Sequence, residues 1–246
     1  MVFFSALEKF DIICFLPIDL FGIIDLSLTN IYIYMLFSLL VILCFFFVNS
    51  YNALIPALNR VFFFSVSSFI FEQVDKQIGY KGFVFYPFFL LLFLFILICN
   101  LLGLVPFSFS PTAHIVFSLF FSMVIWCTAL SLGFIENGLG FVKFFLPDVP
   151  VFLLPMLFVI EIFSYIIRVF SLAIRLAANI TAGHVLLFTI AGFASKLLEF
   201  NFFVFLITLV ILTLIFLLEI GVAFLQAYVF VTLACIYFND SLNMSH

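Results

Sequence analysis

Residues 156–192 read MLFVIEIFSYIIRVFSLAIRLAANITAGHVLLFTIAG, and residues 198–238 continue as LEFNFFVFLITLVILTLIFLLEIGVAFLQAYVFVTLACIYF. No proline follows Pro155, so neither run contains a residue that removes a helical hydrogen bond or clashes with the preceding turn. The two runs predict a pair of helices over 156–192 and 198–238, joined by a short turn around Gly192–Lys196. At 1.5 Å per residue the first is about 54 Å long, against a hydrocarbon core about 30 Å thick. Unbroken, it must lie at roughly 55° to the membrane normal, well beyond the average tilt of about 20°. Lipid gives no reason for that inclination. A hairpin so built is shaped to lie along another protein surface.

The rest of the chain agrees with a membrane setting. Of 246 residues 68% are hydrophobic and 8% charged, and mean hydropathy is +1.48. A water-soluble domain of this length has too much surface to hide that apolar fraction. The 43 phenylalanines exceed any packing need and point to a T-rich coding bias of the kind an AT-rich organelle genome imposes. Net charge is −4 with eight scattered Lys and Arg, which is no nucleic-acid footprint. The five cysteines stand far apart in apolar stretches and carry no CxxC, so they read as packing residues and not as a metal or disulfide framework. Without a P-loop or GxGxxG the chain is expected to bind no nucleotide, and no cofactor is expected. The N-terminus, with Glu8, Lys9, Asp11, Asp19 and Asp25, resembles neither a transit peptide nor a signal sequence.

The predicted fold is an all-α membrane protein of five membrane-embedded helices and one interfacial amphipathic helix, in a single domain. Residues 29–50 form the first span. Residues 54–81 mix Arg60, Glu72, Asp75 and Lys76 with Val66, Ile70, Val74 and Ile78, a pattern suited to the interface. From Gly82 to Ile135 there is no Asp, Glu, Lys or Arg. Pro106 and Pro111 divide that stretch into a hairpin of spans, 83–105 and 113–134. A loop follows over Glu136–Pro150. With five crossings Arg60, Lys76, Lys81 and Lys143 fall on the side of the C-terminus and Lys9 and Lys196 opposite.

Charged residues inside spans are costly and point to function. Four are expected here, Glu161, Arg168, Arg175 and Glu219, all after Pro155. At 100° per residue Glu161, Arg168, Arg175 and Asn179 share one face of the inclined helix. Thr208, Glu219 and Gln226 share a face of the last helix, while His184 lies nearly opposite Arg175. Arg168 can reach the interface along its stem. Arg175 sits mid-span, and its guanidinium stays charged, so it needs an anion. Glu161 is fourteen residues away and no other acid lies near on that helix; the missing anion belongs to another chain.

The segment Ser171-Leu-Ala-Ile-Arg175-Leu-Ala-Ala-Asn179-Ile-Thr-Ala-Gly-His184 resembles the signature of subunit a of the rotary F-type ATP synthase in its mitochondrial form. Asn100-Leu-Leu-Gly-Leu-Val-Pro106, continued by Phe107-Ser-Phe-Ser-Pro-Thr-Ala-His114, is similar to that family's second recurring segment. Glu161, fourteen before the arginine, and the Glu219–Gln226 spacing also match, so that the likeness covers about residues 30–240. Arg168-Val169 departs from the Arg-Pro or uncharged residue of many members, which weakens an essential role for Arg168. The resemblance implies a proton-translocating, non-catalytic stator subunit of the mitochondrial inner membrane. Its partners would be the carboxylates of the c-ring, the peripheral stalk, the other membrane-sector subunits and lipid. It further implies two offset aqueous half-channels separated by Arg175, with His184, Glu219 and Asn179 on the inlet and Glu161 on the outlet, and counts Gln226 among the residues of proton translocation.

Three other classes fit less well. A secondary transporter would show inverted repeats and helices broken at mid-membrane, whereas the polar helices are proline-free. A pumping subunit of a respiratory complex would carry Lys/Glu pairs within several spans. A structural scaffold leaves Arg175 and Glu219 without a role.

Overall fold

The computed structural model describes residues 11–16, 19–20, 24–25, 27–50, 58–105, 108–138, 140–141, 154–200 and 202–243. Near the N-terminus short strands pair antiparallel. β1 (Cys14–Leu16) pairs with β4 (Leu28–Thr29), placing Cys14 opposite Thr29, and β2 (Asp19–Leu20) pairs with β3 (Ile24–Asp25). This small element, absent from the sequence expectation, leads directly into α1 (Asn30–Ser50). Asn30 clasps the junction: its Nδ2 donates to the Asp11 carbonyl at 3.0 Å, and its Oδ1 accepts from the Ile31 amide at 3.1 Å.

α2 (Leu58–Gln77) is followed by a 3₁₀ turn and α3 (Tyr86–Leu104), a second 3₁₀ turn over Pro111–Ala113, and α4 (Ile115–Asn137). α5 (Leu154–Phe200) and α6 (Phe202–Asn243) complete the chain. Five of these helical segments are long and apolar enough to cross a membrane, and α2 is not among them. The protein is an all-α, multi-pass membrane protein.

α2 buries Val66, Ile70 and Val74, and Ile78, the residue just past its end, continues the row of every fourth residue. Its outer face carries Glu72 and Lys76, both well exposed and paired at 2.7 Å. The Lys76 ammonium holds the Glu72 carboxyl below its ordinary range by a hydrogen bond and by charge, so this face stays ionised at neutral pH. That suits a helix with one side on protein and the other toward water and headgroups. The loop expected over 136–150 lies mostly outside the described residues, and α4 itself continues through Glu136 to Asn137.

Gly192–Lys196, expected as the turn of the last hairpin, is helical: α5 runs unbroken to Phe200 and α6 begins at Phe202. The expectation weighed a glycine and small residues as a break. Inside a helix Gly192 costs only about 1 kcal/mol relative to alanine, and the Ser195 hydroxyl donates back to the Gly192 carbonyl at 2.9 Å. In an apolar setting an opened backbone is far more costly than one glycine. Lys196, expected in that turn, therefore sits within α5. The consequence is a longer pair: the 47 residues of α5 span about 70 Å.

α3 is the centre of the core, packed against α1, α2 and α6, with Phe89 and Phe93 fully enclosed. Asn137 donates to the Ser241 carbonyl at 2.8 Å, Lys81 Nζ to that of Leu242 at 2.9 Å, and Asn243 to that of Ile78 at 3.0 Å. The first two satisfy carbonyls in the last turn of α6, which have no partner within the helix, and the third satisfies the Ile78 carbonyl just past the end of α2. They also gather the turn between α2 and α3, the end of α4 and the end of α6 at one end of the bundle. The first half of α6 is different. Val204, Leu206, Ile207, Val210, Ile211, Leu214, Leu217 and Leu218 are exposed, while its second half buries Ala227, Phe230, Val231, Ala234 and Tyr237.

Candidate functional site

α5 buries Tyr165, Val169, Leu172 and Leu176 against the bundle, spaced three and four apart as one helical face requires, with Ala173 and Ala177 beside them. α5 packs on α4 and α6. The opposite face exposes Ile160, Phe163, Ile167, Ile174, Arg175 and Ala178. Arg175 thus stands on an outward, mostly apolar face, with exposed Ser171 and Asn179 one turn to either side, and it makes no ion pair or hydrogen bond with any described residue of the chain. Glu161, half-exposed, is fourteen residues earlier, about 21 Å along the helix. The structure does not bring these two together.

One turn after Arg175 the polar groups converge. Asn179 Nδ2 donates to Gln226 Oε1 across α5 and α6 at 3.2 Å. Both line a cavity of about 260 Å³ between α3, α5 and α6, which also receives Glu219 and Asn100. Its remaining wall is largely apolar, including Leu104, Leu186 and Leu218. Asn100 Oδ1 and Gln226 Nε2 are enclosed without a hydrogen-bond partner among the described residues. Buried polar atoms of that kind are normally met by water, and the cavity has room for several molecules.

Two glycines fit the titratable groups into place. A Cβ on Gly183 would stand 2.7 Å from Glu219 Oε1, and one on Gly103 would stand 3.8 Å from His184 Nε2 and 2.8 Å from Ser110 Cβ. Glu219 therefore lies flat against the α5 backbone and His184 against that of α3. Both are buried, with 8% and 3% exposure. His184 adjoins the cavity wall through Gly183 and faces α3; it does not line the cavity itself.

Of the residues singled out in the sequence, Asn179, Glu219 and Gln226 meet in one cavity, His184 borders it, Arg175 stands outside it on the exposed face, and Glu161 lies apart. Thr208, placed on the Glu219 stripe by helical spacing, turns its hydroxyl back to the Val204 carbonyl at 2.9 Å. Two features escaped the sequence reading. Asn100 was within reach as a single amide in a long run without charge. The Arg168 partner was not: Asp240 stands 3.8 Å from Arg168 Nη1 across 72 positions, with the Tyr237 ring 6.0 Å from the guanidinium, and no periodicity links α5 to the end of α6.

The arrangement sets a carboxylate-bearing pocket with room for water beside a cation on an outward face, groups that can hold and pass on a proton. Residues 32–239 match the family model described as ATP synthase A chain. The chain is 37% identical over 255 residues to ATP synthase subunit a of Maricaulis maris (strain MCS10), covering 98% of each chain. It is 38% identical over 250 residues to ATP synthase subunit a of Pelagibacter ubique (strain HTCC1062), covering 98% of this chain and 99% of that one.

Proposed function

Since this chain belongs to the ATP synthase A chain family and so serves proton translocation in the membrane sector of that complex, we propose that Arg175 is the fixed charge that divides its proton path in two. The observation that carries this reading is the outward position of Arg175. A guanidinium cannot shed its charge, and an unpaired cation facing lipid at mid-span is costly. A passing rotor carboxylate supplies the missing anion. Away from the arginine such a carboxyl stays protonated, because burying its charge is unfavourable; beside the arginine the ionised form is favoured, and the proton leaves.

The cavity of Asn179, Glu219 and Gln226, with His184 at its edge, is the inlet. Glu161, on the far side of Arg175, is the outlet. Because Arg175 stands between them, a proton cannot pass without riding on the ring. Each elementary charge that crosses gains about 2.3 kcal/mol per 100 mV, and that work turns the rotor. The chain is then a non-catalytic stator subunit, held by peripheral-stalk and neighbouring membrane subunits.

The Phe-rich composition is the support for a mitochondrial inner-membrane home and an organelle gene; both relatives named above are bacterial. Locating the coding sequence in organelle or in nuclear and bacterial DNA decides that point.

The ring-facing reading is tested by placing a photoreactive phenylalanine analogue at Ile174, next to Arg175, in the assembled complex. The expected adduct is with the small hairpin subunit of the rotor. An adduct with lipid alone, or with a stator subunit, overturns it.

A further inference from the structure

The buried serines and threonines among the described residues divide into two groups. Ser38, Ser118, Ser122 and Ser241 each donate to the carbonyl three residues back in their own helix, the usual way a helix in an apolar setting disposes of a hydroxyl. Ser110 and Thr112 do not. Both are enclosed, at 0% and 1% exposure, and Ser110 Oγ and Thr112 Oγ1 have no hydrogen-bond partner among the described residues. They belong to the 3₁₀ turn between α3 and α4, which is wedged among α1, α3, α4 and α5.

The next residue is His114. It is half-exposed as a whole, yet its Nε2 is enclosed and likewise without a partner among the described residues. Its ring is stacked on Phe109 at 5.2 Å, which in turn packs on Tyr34 of α1 at 5.9 Å. At the inner end of the turn the side chain of Ser110 and the Nε2 of His184 approach the same bare Cα, that of Gly103. Three unsatisfied polar atoms thus lie within five residues, one end open to the outside and the other against His184. Four elements enclose them. Buried polar atoms so placed hold ordered water.

We propose that residues 110–114 form a hydrated outer vestibule of the proton inlet, in which His114 is the titratable group that collects protons and relays them through water at Thr112 and Ser110 to His184. The proposal rests on the inlet assigned above and extends it outward. The chemistry balances as transfer between bases. Water on the exposed side gives a proton to the imidazole, which becomes imidazolium. The proton then passes to the enclosed water and on to His184, and the His114 imidazole is neutral again; nothing is consumed. The groups that face this turn are few. α1 and α3 carry no Asp, Glu, Lys or Arg, α4 has only Glu136 at its other end, and α5 presents His184, with Glu219 of α6 behind Gly183. Tyr34 of α1 packs behind Phe109, and within residues 110–114 themselves His114 is the one titratable side chain.

The test uses the whole ATP synthase in sealed vesicles, with pH varied on the inlet side alone and assembly measured for each variant. His114→Ala is expected to slow proton-driven synthesis roughly three- to tenfold, less than the roughly hundredfold or more that an acid–base group acting in a bond-making step supplies, because water can still deliver protons more slowly, and to change the inlet-side pH profile. His114→Asp should restore most of the flux with its profile moved to lower pH. Equal rates and profiles in wild type and His114→Ala overturn the proposal, as does an equal loss in the Ala and Asp variants. Should His114→Ala fail to assemble, Thr112→Val decides: it keeps the side-chain shape, removes the hydroxyl and must slow synthesis, and a normal rate refutes the relay. His184→Ala is the reference. If it has no effect, the inlet itself is misassigned; if it blocks flux while His114→Ala does not, only the vestibule falls.

Discussion

Asn179 and Gln226, forty-seven residues apart, meet at 3.2 Å across α5 and α6, one helical turn beyond Arg175. This bond ties the two long helices together where the open face and the cavity come closest in sequence. An amide on each helix leaves further donors and acceptors for water, which an apolar pair would not.

Removing either amide should therefore cost proton flux beyond any loss of packing. In a double-mutant cycle with Asn179→Ala and Gln226→Ala, a hydrogen bond contributing about 1 kcal/mol appears as about fivefold non-additivity in the rate of proton-driven ATP synthesis. Strict additivity would mean that the two side chains act independently.

Gly183 sets the position of Glu219. Because an added Cβ would stand 2.7 Å from the carboxylate oxygen, Gly183→Ala must push that group aside. Synthesis is expected to fall by up to the order of a hundredfold, since displacements near 1 Å at a working group can be that costly. Adding Glu219→Asp, whose shorter side chain withdraws from the new methyl, should recover part of the loss. A double variant slower than either single variant would contradict this fit.

Arg168 should behave differently from Arg175. Its contact with Asp240 is 3.8 Å long and partly exposed, with side-chain exposures of 36% and 19%. Pairs of this kind contribute less than about 1 kcal/mol. Asp240→Asn is expected to leave synthesis near the wild-type rate and the thermal midpoint of the complex little changed, both readable on one preparation.

On α2 the sign of the pH effect is fixed by Lys76, which holds the Glu72 carboxyl below its ordinary range. A depressed carboxyl pKa gives a contribution that is full above the unfolded value and lost as pH falls through the folded one. Lys76→Ala should raise the Glu72 titration midpoint toward the usual glutamate value, as followed by carboxyl NMR. It should leave proton flux at neutral pH unchanged, because the pair is exposed and remote from the cavity residues in sequence.

Much of this architecture is legible in the sequence because the chain carries so little charge. With so few charged residues, Arg175 and Glu219 stand out, and helical spacing alone aligns Arg175 with Asn179 and Glu219 with Gln226. The helices themselves follow from hydropathy and proline positions, as α1, α3 and α4 show. What spacing does not reveal is contact between distant segments. Asp240 beside Arg168 and Gly103 beside His184 depend on how α3, α5 and α6 are packed. The turn expected at Gly192 failed for a local reason: in an apolar medium the backbone keeps its hydrogen bonds, and a single glycine is too small a penalty to break them. Strand pairing near the N-terminus was invisible because its partners are only two or three residues long and carry no alternating pattern.

The most direct measurement is ATP synthesis driven by an imposed proton gradient in vesicles carrying the complex with Arg175→Ala. With Arg175 as the fixed charge between inlet and outlet, synthesis is abolished while the catalytic head still hydrolyses ATP. Synthesis at the wild-type rate would contradict the assignment.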